Sequence, residues 1–145
     1  MKRCLLDVNV FFAMVWPMHS HYDAARAWFK ASGGRAWATN PLTQLGVLRL
    51  LSNPRITEAA VPSLDALETV ADAISHDGHE FWDLGHRMTN GLRTSADRVQ
   101  GYRQWTDALL LWQAVSRNGV LVTFDSGVRE LAGRDHRDSV LLLKR

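Results

Sequence analysis

Three aspartates, Asp7, Asp107 and Asp125, are the residues whose type and setting point most clearly to chemistry. Asp7 lies within residues 3–9 (RCLLDVN), which we predict to form a short buried strand that ends at this carboxylate. Burying an isolated ionised aspartate costs several kcal/mol or forces the carboxylate to take up a proton. Asp7 therefore needs a partner, which is a metal ion, an arginine or a row of backbone amides.

The other two aspartates belong to one predicted helix–strand unit. Residues 105–117 are predicted to form a helix that Thr106 or Asp107 caps, and residues 120–124 (VLVTF) form an apolar strand that ends directly before Asp125. Taken singly, Asp107 is typical of a helix cap and Asp125 of a turn. In an α/β unit, however, the start of such a helix and the end of such a strand share one edge of the sheet. All three carboxylates are therefore predicted to converge there.

Three carboxylates at one edge would repel strongly unless a cation lay between them. Their ligand atoms are hard oxygens and no His or Cys is expected beside them, so the expected ion is Mg²⁺ or Mn²⁺. One or two such ions, holding several waters, can activate a water and stabilise the charge that develops during phosphodiester hydrolysis. We therefore predict that Asp7, Asp107 and Asp125 are metal ligands and catalytic residues.

The elements that would position these residues alternate between strand and helix along residues 1–145, which we predict to be one domain. The expected fold class is α/β, an open parallel sheet of four or five strands with helices on both faces. Predicted strands cover residues 3–7, 36–38, 80–84, 120–124 and 139–143. Predicted helices cover residues 10–15, 19–31, 39–52, 63–75, 105–117 and 128–132, and residues 85–104 are predicted to be a helix fragment and a long loop.

The spacing of apolar residues also predicts which faces of these helices are buried. The helix over residues 19–31 is expected to begin at Ser20 as its N-cap and to end at Gly33 and Gly34. In the next two helices the residues expected to face the core are Leu42, Leu45, Leu48, Leu51, Ala66, Leu67, Val70 and Ile74.

The composition is that of a globular protein with 46% hydrophobic residues and a formal charge of +2. No apolar run approaches the roughly 20 residues needed to cross a bilayer, and Asp7 and Asn9 interrupt the only candidate for a signal peptide. The single cysteine, Cys4, excludes an internal disulfide and fits a cytoplasmic location. Most of the 17 basic residues are arginines, which indicates either a nucleic-acid partner or a GC-rich coding bias.

Three segments carry a resemblance to a known family: residues 5–10 (LLDVNV), 37–54 (WATNPLTQLGVLRLLSNP) and 101–128 (GYRQWTDALLLWQAVSRNGVLVTFDSGV). Together they resemble the PIN-domain ribonuclease toxins of the VapC type, in order and over almost the whole chain. The resemblance implies strand order 3-2-1-4-5, an Mg²⁺- or Mn²⁺-dependent endoribonuclease, a cognate VapB-like antitoxin and a homodimer in a prokaryotic cytoplasm. Asp7, Asp107 and Asp125 fall on the acidic positions of the family, and Asn9 and Thr123 on positions that are commonly polar.

The chain departs from the PIN pattern at Gln44. PIN domains usually carry a carboxylate early in the third helix, where this chain has a neutral amide. Such an amide can accept a hydrogen bond from a metal-bound water but supplies no charge, so weaker metal binding is expected. Three explanations remain open: a second ion is held loosely or arrives with the RNA, another acid such as Asp83 or Glu80 contributes, or the nuclease is impaired.

Arginines form a further group of candidate binding residues. Arg49, on the same predicted helix as Gln44, is either a contact for RNA phosphate or an antitoxin carboxylate, or an ordinary surface arginine. A solvated loop would account equally well for the arginines of the predicted loop, which are otherwise candidates for a phosphate-contacting rim. These are Arg87, Arg93, Arg98 and Arg103.

Two interpretations compete with a ribonuclease. One is a catalytically weak or inactive PIN module that binds RNA or protein without cleavage, which the neutral Gln44 favours. The other is a receiver domain in which an aspartate accepts a phosphoryl group. A receiver needs an acidic pair, an aspartate at the end of its third strand and a lysine near its last strand. Lys144 lies too near the C-terminus to serve, so the second interpretation is disfavoured.

Overall fold

The computed structural model describes residues 2–32 and 36–145, and its centre is a five-stranded sheet in which every neighbouring pair is parallel. The strand order is β3-β2-β1-β4-β5, so the expected 3-2-1-4-5 topology is confirmed. The strands are β1 (Cys4–Leu6), β2 (Trp37–Thr39), β3 (His79–Phe81), β4 (Val120–Thr123) and β5 (Val140–Leu142). The helices are α1 (Val8–Val15), α2 (Tyr22–Ala31), α3 (Pro41–Leu51), α4 (Pro54–Thr57), α5 (Ser63–Ile74), α6 (Met88–Leu92), α7 (Gln104–Ser116) and α8 (Gly127–His136), with 3-10 turns at Ala96–Arg98 and Arg137–Ser139.

Helices cover both faces of the sheet, because successive residues of each strand point to opposite sides. Leu6 and Val122 belong to a core that includes residues of α1, α2, α3 and α5. The adjacent Leu5 and Leu121 belong to a second core, built with residues of α7 and α8. The prediction of an α/β sheet with helices on both faces is therefore confirmed.

The central pair of strands brings the two halves of the chain together. β1 lies between β2 and β4, and Leu6 pairs with Val122 at the carboxyl end of both strands. Asp7 and Thr123, the next residues along, are therefore neighbours. The chain order reverses between β1 and β4, which is where open α/β sheets bind their ligands.

Several predicted boundaries were wrong. β3 ends at Phe81 rather than at residue 84, because the carbonyl oxygen of Asp83 leaves the sheet and accepts from Gln113 Nε2 at 2.8 Å. At the start of α2, His21 rather than Ser20 takes the N-cap position, and no side chain caps the helix. The predicted end of that helix at Gly33 and Gly34 lies outside the described residues.

Two residues predicted to face the core are exposed instead. Leu45 is 56% exposed because the buried face of α3 consists of Thr43, Val47 and Leu51, which recur every four residues. Leu67 is 50% exposed for the same reason, since the buried residues of α5 are Ala66 and Val70. In the described part of the chain, no helix is long and apolar enough to span a membrane.

Candidate active site

Asp7 ends β1 and caps α1, and its side chain is only 6% exposed. Its Oδ1 accepts a hydrogen bond from the Val8 backbone N–H at 2.7 Å. Its Oδ2 accepts one from the Thr123 hydroxyl, also at 2.7 Å. Each carboxylate oxygen therefore has a donor, which offsets part of the cost of burying the charge.

Thr123 connects this carboxylate with its neighbours at the end of β4. Its fully buried hydroxyl also accepts from Asn9 Nδ2 at 3.4 Å and from the Asp125 backbone N–H at 3.0 Å. Asn9 in turn accepts from the Phe124 backbone N–H through Oδ1 at 3.3 Å. The predicted polar residues Asn9 and Thr123 thus lie beside Asp7, and they tie the start of α1 to the end of β4.

Asp125 stands at the exposed rim of this cluster, in the turn that leads into α8. Its Oδ1 accepts from the Gly127 backbone N–H at 2.9 Å, as aspartates in such turns commonly do. This hydrogen bond holds the backbone in its turn. The carboxylate of Asp125 remains exposed beside the buried Asp7.

Asp107 reaches the same edge from α7. It is the fourth residue of that helix, and Arg103 takes the N-cap position without a side-chain capping bond, so the predicted cap at Thr106 or Asp107 was wrong. Burial, followed by the charges of Asp7 and Asp125, raises the pKa of Asp107 to about 7. Burial likewise raises the pKa of Asp7, against the hydrogen bonds from Thr123 and Val8, and the charge of Asp125 raises it further. The three carboxylates therefore lie within each other's electric field.

The donor chemistry of this cluster fits a hard divalent cation. Carboxylate oxygens are the protein ligands that Mg²⁺ and Mn²⁺ prefer, and Mg²⁺ commonly keeps several waters of its own. Within residues 2–32 and 36–145, no three His, Cys, Asp or Glu side chains form a ready-made metal cage. Asp7, Asp107 and Asp125 therefore do not form such a cage as they stand, although burial and then the charges of the other two raise the pKa of Asp107.

Gln44 is turned toward the neighbouring strand. Its Nε2 donates to the hydroxyl of Thr39 at 2.9 Å, and the buried Thr39 hydroxyl also lies 2.8 Å from Nε2 of His79. Glu80, a possible substitute for the missing acid, forms an ion pair with Arg3 at 3.2 Å and accepts from Trp82 Nε1 at 2.8 Å. Arg3 and Asp7 lie at opposite ends of β1, so the ion pair of Glu80 with Arg3 is away from the carboxylate cluster.

The candidate arginines have different surroundings. Arg49, Arg87, Arg93 and Arg103 are exposed, as a phosphate-contacting residue must be. Arg98 instead donates through Nε to the carbonyl oxygen of Leu131 at 2.8 Å and through a terminal nitrogen to that of Thr94 at 3.0 Å. The guanidinium of Arg98 is thus engaged in holding the loop onto α8, and its role in binding RNA stays a prediction.

Sequence reasoning missed Gln104, which lies beside the cluster. Its Oε1 accepts from the Gln100 backbone N–H at 2.8 Å. Its Nε2 lies 3.6 Å from the position that a Cβ on Gly127 would take, next to the turn held by Asp125. The only sequence signal was its spacing of three residues before Asp107, which puts both side chains on one face of α7.

The raised pKa of Asp107 predicts how the stability of the metal-free protein depends on pH. Between about pH 4 and pH 7 the folded protein holds a proton that the unfolded chain has lost, so stability falls as the pH rises through this window. We expect Asp107→Asn to remove this contribution. In EDTA, the variant should match the wild type near pH 4 and be more stable than it at pH 8, as measured by urea unfolding. Asp72→Asn, at an exposed position of α5, is the control; an Asp107→Asn curve parallel to the wild type would contradict the prediction.

Comparison with known proteins agrees with this fold. A family model described as the PIN domain matches residues 4–134. The chain is 38% identical over 142 residues to "Ribonuclease VapC38" of Mycobacterium tuberculosis, a match that covers 96% of each chain. It is 36% identical over 128 residues to "Ribonuclease VapC39" of the same organism, which covers 88% of this chain and 92% of the relative.

A solved structure supports the architecture independently. The crystal structure of PAE2754 from Pyrobaculum aerophilum superposes with a TM-score of 0.60, covering 90% of this chain and 79% of that chain, at 21% sequence identity. At this identity the similarity concerns the fold, and the family assignment rests on the PIN match and the two ribonuclease relatives. The chain belongs to the PIN-domain family and, within it, to the VapC-type ribonucleases.

Proposed function

We propose that this protein is a divalent-metal-dependent endoribonuclease, the toxin of a type II toxin–antitoxin pair, which hydrolyses RNA phosphodiester bonds. The single observation that carries the proposal is that Asp7 and Asp125 meet at the Thr123 hydroxyl, at the ends of β1 and β4, where α7 adds Asp107. Burial, followed by the charges of Asp7 and Asp125, accordingly raises the pKa of Asp107 to about 7. An edge at which two carboxylates disfavour ionisation of a third is one that a cation would stabilise. The names of the two ribonuclease relatives support the same chemistry.

The proposed roles follow from the contacts. Asp7, Asp107 and Asp125 hold the ion, and all three act as catalytic residues. When bound, Mg²⁺ or Mn²⁺ supplies the positive charge that lowers the pKa of a water and stabilises the negative charge on the reacting phosphate. Thr123 and Asn9 fix the orientation of Asp7 and of the backbone that leads to Asp125. Orienting residues of this kind matter because ligand geometry tunes an ion's affinity.

The RNA is proposed to approach over the exposed arginines. Arg87, Arg93 and Arg103 lie in or beside the segment between β3 and α7, and Arg49 lies on α3 near Gln44. Their guanidinium groups match phosphate oxygens bidentately, which would position the RNA without selecting its sequence. Arg98 is the weakest of these candidates, because three hydrogen-bonding or charged partners already surround its guanidinium.

The proposed protein partners are a VapB-like antitoxin and a second copy of the chain, in the cytoplasm of a prokaryote. Helices α3, α4 and α5 carry large apolar side chains that are about half exposed or more, which is typical of a surface that another chain covers. These are Leu45, Ile56, Leu64 and Leu67. The same apolar residues that fail to reach the core of the monomer thus support an interaction surface.

Replacing Asp7 tests the nuclease proposal. Asn retains an oxygen for the hydrogen bond from Thr123 but lacks the charge that the ion requires. We expect Asp7→Asn to lower the rate of RNA cleavage in Mn²⁺ by at least about 100-fold, the usual size of a lost transition-state interaction. Cleavage of a fluorescein-labelled RNA by the wild type should cease in EDTA and return when Mn²⁺ is added in excess.

The matched control for this variant is Asp72→Asn, which removes an exposed carboxylate of α5 and should cleave like the wild type. Undiminished cleavage in EDTA, or by purified Asp7→Asn protein, would refute a metal-dependent nuclease.

A second candidate function, a PIN module that binds RNA or protein with little or no cleavage, is favoured by Gln44. This residue replaces the usual carboxylate with an amide that is already bonded to Thr39. Both candidates have the same fold and the same position of Asp7. They differ in whether the wild-type protein binds a metal ion tightly enough to cleave RNA.

Gln44→Glu separates the two candidates. A carboxylate can accept from the Thr39 hydroxyl, while Nε2–H of His79 donates to the same hydroxyl, so the contacts survive with their direction reversed. We expect the added charge to lower the Mn²⁺ concentration for half-maximal cleavage by about tenfold, equivalent to ~1.4 kcal/mol. Gln44→Ala, which removes the amide without adding charge, is the control. Cleavage by Gln44→Glu alone would favour the binding module as the wild-type function, and equal metal dependence of all three proteins would show that residue 44 does not influence the ion.

A further inference from the structure

An exposed aromatic residue and an arginine form a pair directly before α7. Tyr102 is 79% exposed, and the guanidinium carbon of Arg103 lies 5.6 Å from the centre of its ring. Arg103 Nε also donates to the Tyr102 hydroxyl at 3.3 Å. Two contacts thus hold a cation and an aromatic ring together on the surface. Neither side chain is needed for the core.

Helix geometry places Arg103, the cation of this pair, one turn from Asp107. Arg103 has helical backbone angles, φ −70° and ψ −22°, so the helical arrangement of α7 extends to it. Residues four apart lie on one face of a helix, and four residues rise about 6 Å along its axis. Arg103 therefore lies on the same face as Asp107, one turn closer to the start of the helix. Gln104, between them in the chain, has its amide beside the turn held by Asp125.

The chemistry of the pair matches one nucleotide. A tyrosine ring offers a flat surface on which any base can stack, and a guanidinium binds phosphate or stacks on the next base. Double-stranded RNA hides its bases within the helix, whereas a single strand can turn them toward such a pair. The positive charge of Arg103 and its position one turn from Asp107 favour RNA over a protein as the occupant.

We propose that Tyr102 and Arg103 form a platform on which one unpaired base of the RNA stacks, one helical turn from Asp107. The proposal rests on the proposed ribonuclease function for its biological meaning. The binding of RNA by the platform is measured separately from cleavage.

Two other exposed aromatic residues provide matched controls. Trp105 is 45% exposed and only two positions from Asp107, but residues two apart on a helix do not face the same side. Phe81 is 51% exposed and belongs to the edge strand β3, outside α7. Loss of either ring removes a similar exposed aromatic surface without touching the platform.

The first test measures binding without cleavage. The full chain carrying Asp7→Asn is titrated into a fluorescein-labelled single-stranded oligoribonucleotide, and the anisotropy is followed in EDTA. We expect Tyr102→Ala to raise the Kd by about tenfold, within the range measured for one base stacked on an aromatic residue. Tyr102→Phe should bind nearly as tightly as the parent, because it keeps the ring. Trp105→Ala and Phe81→Ala should bind as tightly as the parent, and all four variants should keep the thermal midpoint of unfolding.

The second test locates the base. A set of oligoribonucleotides carries one abasic nucleotide at successive positions, and each is tested with the parent and with Tyr102→Ala. If a base stacks on Tyr102, one abasic position should abolish the difference in Kd between the two proteins. At that position the base–ring contact is absent from both complexes. Arg103→Gln should reduce the salt dependence of binding by the contribution of one phosphate contact, a slope change of about 0.7 for a single strand.

The outcomes separate this proposal from the nuclease proposal. Equal Kd values for the parent and Tyr102→Ala, an equal effect of Trp105→Ala, or the absence of any RNA binding would overturn the platform. A difference that no abasic position removes would also overturn it and would indicate a different contact. If the wild type binds RNA through Tyr102 but never cleaves it in Mn²⁺, the platform stands and the nuclease proposal fails. If Tyr102→Ala cleaves RNA with the KM of the wild type, the nuclease proposal stands and the platform fails.

Discussion

The hydrogen bond from the Thr123 hydroxyl to Asp7 joins the two strands on which the candidate site is built. Thr123 is the last residue of β4, Asp7 follows β1, and the strands pair so that Leu6 and Val122 are partners. The fully buried hydroxyl uses its single proton for Asp7 and its lone pairs for Asn9 and the Asp125 backbone. One side chain therefore sets the geometry at the ends of β1 and β4, and a shift of either strand would break several bonds at once.

The same arrangement creates an electrostatic constraint that these hydrogen bonds do not remove. α7 brings Asp107 to an edge where Asp7 and Asp125 already stand, and its pKa rises to about 7 as a result of burial and their charges. A proton relieves this repulsion in the metal-free protein, and a divalent cation would relieve it more completely. Gln44 adds no charge at this edge, because its side chain is a neutral amide, which donates to Thr39. We therefore propose that charge balance, more than shape, decides whether this edge holds an ion.

Much of the fold followed from local patterns in the sequence. The apolar stretches that end at Asp7 and Asp125 predicted strands with acidic residues at their carboxyl ends, and the alternation of elements predicted a parallel sheet. Only the resemblance to a known family supplied the order of the strands. The apolar spacing in α3 was misleading at Leu45, because a helix with leucines on several faces does not reveal which face the sheet covers.

The parts of the site that the sequence did not reveal depend on contacts between distant segments. Gln104 looked like an ordinary helix residue, and only the fold places its amide beside the Asp125 turn. The partner of Gln44 was equally hidden, because the Thr39 hydroxyl that accepts from Gln44 also contacts His79, forty positions further along the chain. The ion pair that holds Glu80 away from the cluster likewise depends on a distant residue, Arg3. Charge, burial and spacing predicted the three aspartates, and the resemblance to the family added Asn9 and Thr123, but neither pointed to Gln104.

The most direct test of this account is the number of protons released when the wild-type protein binds Mn²⁺. Isothermal titration calorimetry in buffers of different ionisation enthalpy measures that number at each pH. Because the pKa of Asp107 is about 7, the ion should displace close to one proton at about pH 6 and very little at about pH 8. Binding that releases no proton at either pH, or no detectable binding at all, would contradict the claim that three aspartates share one cation.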